Sequence, residues 1–398
     1  MKLPRFLVVR GLAAALVLLA LTSCQAQKIA PAPFRAEKLT EIDATIEQAI
    51  AEKRLPGAVF WLESEGAVYQ RAYGRRAVEP KEERMTTDTI FDTASLTKVL
   101  ATTPAIMLLV ERGQVKVDAK VSEYIPEFQR DGKDDITIRH LMTHTSGLRS
   151  SLNPRPEGYL SAIQMACQEK VSDKPGTGFR YSDINFILLG EVAHRVAIQG
   201  LEEFTLREIY RPLKMNDTRY LPPAEWRKRI APTEWDGTNM LRGVVHDPTT
   251  RRMEGVAGQA GLFSTAADLA RFARMMLNGG ELDGVRIFKP ETVALMTSVQ
   301  SPANVPTRHG LGWDIDSDYT RLRGTLFPIG SYGHTGWTGT SIWIDPFSKT
   351  FWILLSNRNH PGGNGDVRAL RTALGTLSAE AVTGFDFSNV PGALPPAK

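Results

Sequence analysis

Leu39, Ile42, Ile46 and Ile50 recur at intervals of three and four, so residues 38–53 predict an amphipathic helix. Two short apolar runs follow, Gly57–Leu62 and Ala67–Tyr73, with Glu65-Gly66 between them, and predict a β-hairpin. From about residue 93 to 285 the pattern is mostly helical, broken by loops that contain Pro and Gly. Val99–Arg112 is a strongly apolar helix stopped near Gly113, and Phe186–Val196 and Ala266–Leu277 predict two more. After about residue 305 strand signals return. Thr340–Asp345 and Phe351–Ser356 flank Pro346-Phe347-Ser348-Lys349, the pattern of a second hairpin. Val367, Leu370, Leu374, Leu377 and Ala381 mark a last helix, with Asp366 placed to cap it. The tail 386–398, with Pro391, Pro395 and Pro396, is expected to be disordered. No internal repeat is visible.

This order predicts an α/β (α+β) fold in which both ends of the chain build one antiparallel sheet flanked by helices. The expected domain covers 37–385, with a sheet part at about 37–92 and 290–385 and an inserted helical part at about 93–289. A cleft is expected where the two parts meet, which is where small ligands bind.

The first 36 residues follow a different pattern. Lys2, Arg5 and Arg10 form a basic region, and Gly11–Leu21 is apolar but too short to span a bilayer comfortably. Leu21-Thr22-Ser23-Cys24 resembles a bacterial lipoprotein box. Residues 1–23 are therefore expected to be a signal peptide, Cys24 the lipidated first residue of the mature chain, and 24–36 a tether. Cleavage behind Ala26 is the alternative. Acyl chains would anchor the protein to a membrane without a transmembrane helix. Gln25 stands where an aspartate would retain such a protein at an inner membrane, so the expected place is periplasmic, on the outer membrane or cell surface.

Composition adds few constraints. Of 398 residues 42% are hydrophobic and 23% charged, ordinary for a globular protein. The net charge of +4 becomes +1 without Lys2, Arg5 and Arg10, and no basic stripe suggests nucleic acid as a partner. Of the two cysteines, Cys167 lies in a helix-like run and reads as a buried inert thiol.

Ser95-Leu96-Thr97-Lys98 is the first candidate for chemistry. On a helix, positions i and i+3 share a face, and a serine near a helix start faces backbone N–H groups. A serine hydroxyl needs a base, and a lysine serves only where its surroundings depress its pKa. The spacing alone is common, although it occurs once here. The wider segment Ile90-Phe91-Asp92-Thr93-Ala94-Ser95-Leu96-Thr97-Lys98 resembles the nucleophile segment of class C β-lactamases and of related penicillin-binding proteins and esterases. Further segments match in order: residues 136–148 with Thr143-His144-Thr145-Ser146-Gly147-Leu148, Tyr181-Ser182-Asp183, the glycine-rich 255–265, and His334-Thr335-Gly336-Trp337 in place of a Lys-Thr-Gly motif. The resemblance runs from about residue 40 to 382.

That resemblance implies a cofactor-free, metal-free serine hydrolase. Ser95 would be acylated, Tyr181 and Lys98 would share the general-base work, and the backbone N–H groups of Ser95 and Trp337 would form the oxyanion hole. The sequence departs from the family's pattern twice. Asp183 replaces an asparagine; an ionised aspartate cannot donate to substrate and would favour a charged Lys98, leaving Tyr181 as the base. His334 replaces a lysine that binds a substrate carboxylate, and a mostly neutral histidine would hold anions less firmly. Thr335, Gly336 and Trp337 complete the expected binding strand. Substrates implied are cell-wall peptides ending in D-alanine, small esters or β-lactams, with peptidoglycan the natural candidate for an exported lipoprotein. A non-catalytic binder of cell-wall fragments or of a protein partner is the rival. His140 and His144, four apart, would suit zinc on a helix but lack an evident third ligand. His246-Asp247, before Pro248, reads as a turn that could line the cleft. No Gly-x-Ser-x-Gly elbow and no Gly-Lys-Ser/Thr phosphate loop occurs.

Overall fold

The apolar run at Gly57–Leu62 forms β1 (Gly57–Ser64), every residue of which is buried. Successive side chains of a strand point to opposite faces, so full burial requires a core on each side. Ala58, Phe60 and Leu62 enter one core, and Val59 and Trp61 enter the other. Burying each large apolar side chain contributes about 1.5–3 kcal/mol. A turn at Glu65 (φ 49°) and Gly66 (φ 85°) leads into β2 (Ala67–Ala77). Two left-handed residues in succession match the twist of a hairpin.

The computed structural model describes residues 33–129, 131–318 and 321–395. The expected signal peptide 1–23, Cys24 and most of the expected tether lie outside the described residues. The remaining strands of the main sheet are β3 (Glu83–Arg84), β4 (Arg308–His309), β5 (Asp314–Asp316), β6 (Tyr332–Thr335), β7 (Ser341–Asp345) and β8 (Thr350–Ser356). Their spatial order is β4-β5-β6-β7-β8-β1-β2-β3. The chain ends meet where β1 pairs antiparallel with β8, Ala58 opposite Ser356 and Ser64 opposite Thr350. This is a mixed fold with an eight-stranded antiparallel sheet, of the kind that the resemblance implies.

Helices α1 (Ala36–Ala51) and α5 (Arg368–Ala381) cover one face of the sheet. Ile42, Ile46, Leu370 and Leu374 pack there with Phe60 and Trp352. Asp366 accepts the Arg368 N–H at 2.9 Å, but the cap position of α5 is held by Val367, one residue beyond the expected Asp366. Within the segment expected to be helical, α2 (Thr103–Glu111), α3 (Asp183–Ala197) and α4 (Ala266–Leu277) are present. The expected helix at Val99–Arg112 is wider at its start, where Lys98–Thr102 form a π-helical turn. Pro104 has no N–H to offer Leu100 O, and the hydroxyl of Tyr210 donates to that carbonyl instead, at 3.1 Å.

The segment 93–289, expected to be mostly helical, also holds short strands: Leu262–Ser264 pairs with both Phe91–Asp92 and Arg219–Tyr220 in a three-stranded sheet. Two expectations need correction. Helix α4 lies on the main sheet, its Arg274 bonding Glu63 of β1 at 2.6 and 2.8 Å with the guanidinium 5.7 Å from the Trp61 ring. The tail from Asp386 is ordered through Pro395: Phe387 packs edge-on to Phe327 at 5.5 Å, and Leu394 N–H donates to Ile329 O. Its apolar residues have partners that prolines alone do not announce.

Candidate active site

Ser95 is the one residue between Thr89 and Leu109 that is not buried. The strand Phe91–Asp92 delivers the chain to a tight turn in which Ala94, a non-glycine, holds φ 48°. Such a conformation costs on the order of 1 kcal/mol and persists only where surroundings impose it. Here the buried carboxylate of Asp92 imposes it. Its Oδ1 accepts the Ala94 N–H at 2.8 Å and its Oδ2 accepts the His246 N–H at 2.6 Å. Burial raises the pKa of Asp92, and those two N–H bonds oppose the shift.

Lys98 follows one turn later with its side chain wholly enclosed. Its Nζ donates to Ser95 Oγ at 3.1 Å, to Asp183 Oδ1 at 2.7 Å and to the Gln259 carbonyl at 3.1 Å. An ammonium has three N–H donors, and the three acceptors match them. Burial by itself lowers the lysine pKa; Asp183 and Tyr181 outweigh it, so the net shift is upward and Lys98 is a cation. Asp183 at the start of α3 is 32% exposed toward the cleft. Burial raises its pKa and the Lys98 charge opposes that; paired at 2.7 Å with a cation, it stands as the carboxylate.

Tyr181 is placed by its neighbours in sequence. Arg180 N–H donates to His144 O at 2.9 Å, Ser182 N–H to His144 Nδ1 at 3.1 Å, and Asp183 N–H to Ser150 O at 2.7 Å. The segment around Thr143–Leu148 is thus the frame for the tyrosine. The tyrosine ring lies 4.9 Å from Lys98 Nζ, 4.5 Å from the His144 ring and 5.9 Å from the His334 ring. His140 and His144 have separate structural tasks. His140 Nδ1 accepts the Thr137 N–H at the start of its helix, whereas His144 holds Ser182. Burial, with neighbouring positive charge, holds His144 and His334 well below the usual histidine range, and burial pushes His309 down to about 4. All three are neutral near pH 7. His334 Nδ1 lies 2.8 Å from its neighbour's carbonyl, Thr335 O.

The opposite wall is the end of β6 and the turn after it. Gly336 N–H donates to Thr340 O at 2.8 Å. Thr338 Oγ1 donates to Asp92 O at 2.7 Å and Thr340 Oγ1 to Thr93 O at 2.8 Å, clamping this turn to the nucleophile loop. A Cβ at position 336 would lie 2.4 Å from Thr93 O, so only glycine permits the approach. From α5 the buried Arg371 donates to Gly336 O at 2.7 Å, Thr340 O at 2.8 Å and Ser341 Oγ at 2.7 Å. Trp337 stands at the corner, 64% exposed, under the Arg358 guanidinium at 4.6 Å.

Ser95, Lys98, Tyr181, Asp183, His334, Thr335, Gly336 and Trp337 are therefore gathered around one cleft. Cys24 lies outside the described residues. Cys167 is buried in its helix, where burial pushes the thiol up to about 11. Sequence reasoning missed the roles of Asp92, Gln259 and Arg371. Asp92 and Gln259 stood inside segments already singled out, but nothing local distinguishes Arg371.

A family model described as Beta-lactamase matches residues 42–377. The N-acetylmuramyl-L-alanine amidase of Bacillus subtilis (strain 168) is 34% identical over 369 residues, 83% of each chain. A protein of Escherichia coli (strain K12), provisionally named a D-alanyl-D-alanine carboxypeptidase, is 31% identical over 371 residues, 83% of this chain and 84% of its own. Among solved structures, the class C beta lactamase from Rhodobacter sphaeroides superposes with a TM-score of 0.67 at 21% identity, covering 84% of this chain and 99% of that one. EstCE1, a hydrolase with promiscuous acyltransferase activity, gives 0.68 at 22% identity, covering 86% and 99%. At these identities the two structures bear on the fold alone.

Proposed function

This chain belongs to the beta-lactamase family, and from that premise we propose that it is a serine hydrolase that removes the last residue from cell-wall peptides ending in D-alanine, with small esters and then β-lactams as weaker substrates. The supporting observation is the buried Lys98, charged beside Asp183 and donating to Ser95 Oγ. A lysine that already donates three hydrogen bonds has no lone pair to accept the serine proton, so Tyr181 is the base.

In this mechanism Ser95 Oγ attacks the substrate carbonyl as its proton passes to the Tyr181 oxygen. The nearby ammonium of Lys98 stabilises the tyrosinate side of that transfer. The backbone N–H groups of Ser95 and Trp337 receive the carbonyl oxygen as it gains charge. The C–N bond breaks, Tyr181 returns the proton to the leaving amine, and the acyl group remains on Ser95. Water attacks that ester, again giving its proton to Tyr181, and regenerates the serine. The neutral His334 offers hydrogen bonding rather than a cation, so it holds a substrate carboxylate less firmly than a lysine would and leaves both D-alanine peptides and esters open. The names of the relatives, both concerned with cell-wall peptides, support the substrate class. With Cys24 as a lipidated N-terminus, the enzyme would work at the periplasmic face of the outer membrane.

Release of D-alanine from an acylated peptide ending in D-Ala-D-Ala tests the reading. The wild type should release it and Ser95→Ala should not. Ester turnover without D-alanine release would make the enzyme an esterase. Peptide binding unaffected by Ser95→Ala, with no turnover of either substrate, would favour the non-catalytic binder.

A further inference from the structure

Trp337 is largely exposed, yet both its backbone and its indole are held. The holding groups come from the segment that follows β8. Arg358 Nε donates to Trp337 O at 2.6 Å, and the same guanidinium lies 4.6 Å from the indole. The side-chain amide of Asn359 is buried. It donates from Nδ2 to Trp337 O and accepts the indole Nε1–H at Oδ1, each at 3.2 Å. That orientation gives both ends of the amide a partner.

This segment is itself anchored. Asn357 Nδ2 donates to Arg76 O at 2.8 Å and to Pro232 O at 2.7 Å, and Arg358 N–H donates to Thr338 O at 2.8 Å. His246 stands behind it, its Nε2 3.5 Å from the Asn359 amide and 2.7 Å from Glu234 Oε2. The backbone N–H of the same His246 donates to Asp92, which fixes Ala94 beside the nucleophile. His246 thus braces both the nucleophile loop and the support of Trp337.

Holding an exposed side chain costs conformational entropy, so the arrangement needs a return. The backbone supplies it. The peptide between Gly336 and Trp337 is planar, so its N–H points opposite to Gly336 O, which Arg371 holds. One bond at Gly336 O leaves that peptide free to tilt. Bonds at the next carbonyl, Trp337 O, remove the freedom.

Resting on the serine-hydrolase reading above, we propose that Asn359 and Arg358 are positioning residues of the oxyanion hole. By holding Trp337 O and the indole together they aim the Trp337 N–H at the carbonyl oxygen that gains charge. Their contribution is made in the transition state, where that alignment counts most, and not in substrate binding.

The test reads kcat, KM and the thermal midpoint with p-nitrophenyl acetate, and inhibition by phenylboronic acid. The boron bonds Ser95 Oγ as the serine proton passes to Tyr181, and the tetrahedral anion places one oxygen in the hole. Asn359→Leu should lower kcat about tenfold with KM within about twofold of wild type, and should weaken phenylboronic acid about tenfold. Arg358→Met should show the same split, and Arg358→Lys, which keeps a donor, should recover part of kcat. These two decide the point should Asn359→Leu fail to fold. Unchanged kcat and boronate inhibition in the variants, whatever the thermal midpoint, would overturn the positioning role while leaving the hydrolase intact. So would a rise in KM alone, the mark of a residue that only supports substrate contact. Neither turnover nor a Ser95 adduct with the wild type would overturn the hydrolase reading and this inference with it.

Discussion

The two walls of the cleft are built on different physics. The helical wall, carrying Lys98, Tyr181 and Asp183, is organised around a buried ion pair at 2.7 Å. The strand wall, from Gly336 to Thr340, is held by hydrogen bonds to uncharged acceptors: Thr338 to Asp92 O, Thr340 to Thr93 O, and Arg371 to the carbonyls of Gly336 and Thr340. Charge that must respond to a moving proton sits on one side. Rigid backbone that must meet a carbonyl sits on the other. The strand wall should therefore be sensitive to geometry and the helical wall to pH.

The largest effect falls on the loop between the walls. Ser95→Ala should lower kcat on any acyl substrate by about 10³–10⁴-fold or more while leaving the thermal midpoint close to wild type, since Ser95 is half-exposed and its loss removes one hydrogen bond. Kinetics and a melting curve on the same preparation check both halves. On the strand wall, Arg371→Met removes the buried donor from Gly336 O and Thr340 O. Stability should drop by about 2 kcal/mol, and kcat by about 10–10²-fold with KM little changed, as the Trp337 N–H moves out of line. Arg371→Lys should recover part of kcat. A loss confined to stability would break the contrast on this side.

The helical wall is probed by Asp183→Asn. Without the carboxylate, burial is the dominant influence on Lys98, so its pKa falls below the wild-type value and the alkaline limb of kcat/KM moves to lower pH. The stability sign follows from the upward shift in the wild type. The contribution of charged Lys98 is complete below its ordinary 10.5 and is lost only as pH rises through the higher folded value. An unmoved alkaline limb would mean that Asp183 does not set the lysine charge. The smallest effect concerns the imidazoles behind Tyr181. The folded protein holds His309 at about 4, against an ordinary 6.5, so the unfolded chain binds the extra proton between those values. Stability should fall by roughly 3 kcal/mol as pH drops from 6.5 toward 4 and then level off with respect to this group. Urea midpoints of wild type and His309→Asn across that range measure it, the variant having the flatter slope.

Much of the site was legible because its signals are local. Ser95 and Lys98 share one helical turn, Tyr181-Ser182-Asp183 is contiguous, and His334-Thr335-Gly336-Trp337 ends a strand. The substitution of Asp183 for asparagine led to the expectation of a charged lysine, and Lys98 Nζ lies 2.7 Å from Asp183 Oδ1. The sheet built from both chain ends followed from the apolar runs at 57–73 and the strand signals at 340–356. What escaped depends on distance in sequence. The Gln259 carbonyl meets Lys98 across 161 residues, and Thr338 meets the Asp92 carbonyl across 246. The short strand Leu262–Ser264 is recognisable only through partners at 91 and 219. Arg371 resembles any helix-surface arginine until the fold places it against Gly336. The left-handed Ala94 was hidden because alanine carries none of the glycine signal that such a turn normally shows.

The account's central claim is that Ser95 accepts an acyl group from a D-Ala-D-Ala-like donor. Intact mass of wild type and Ser95→Ala after brief incubation with a penicillin, with remaining drug quantified in the same sample, tests it most directly. The account predicts that the wild type carries the penicilloyl adduct or consumes the drug, and that Ser95→Ala does neither. Labelling or drug consumption by the variant at the wild-type level, or neither adduct nor consumption with the wild type, would contradict it.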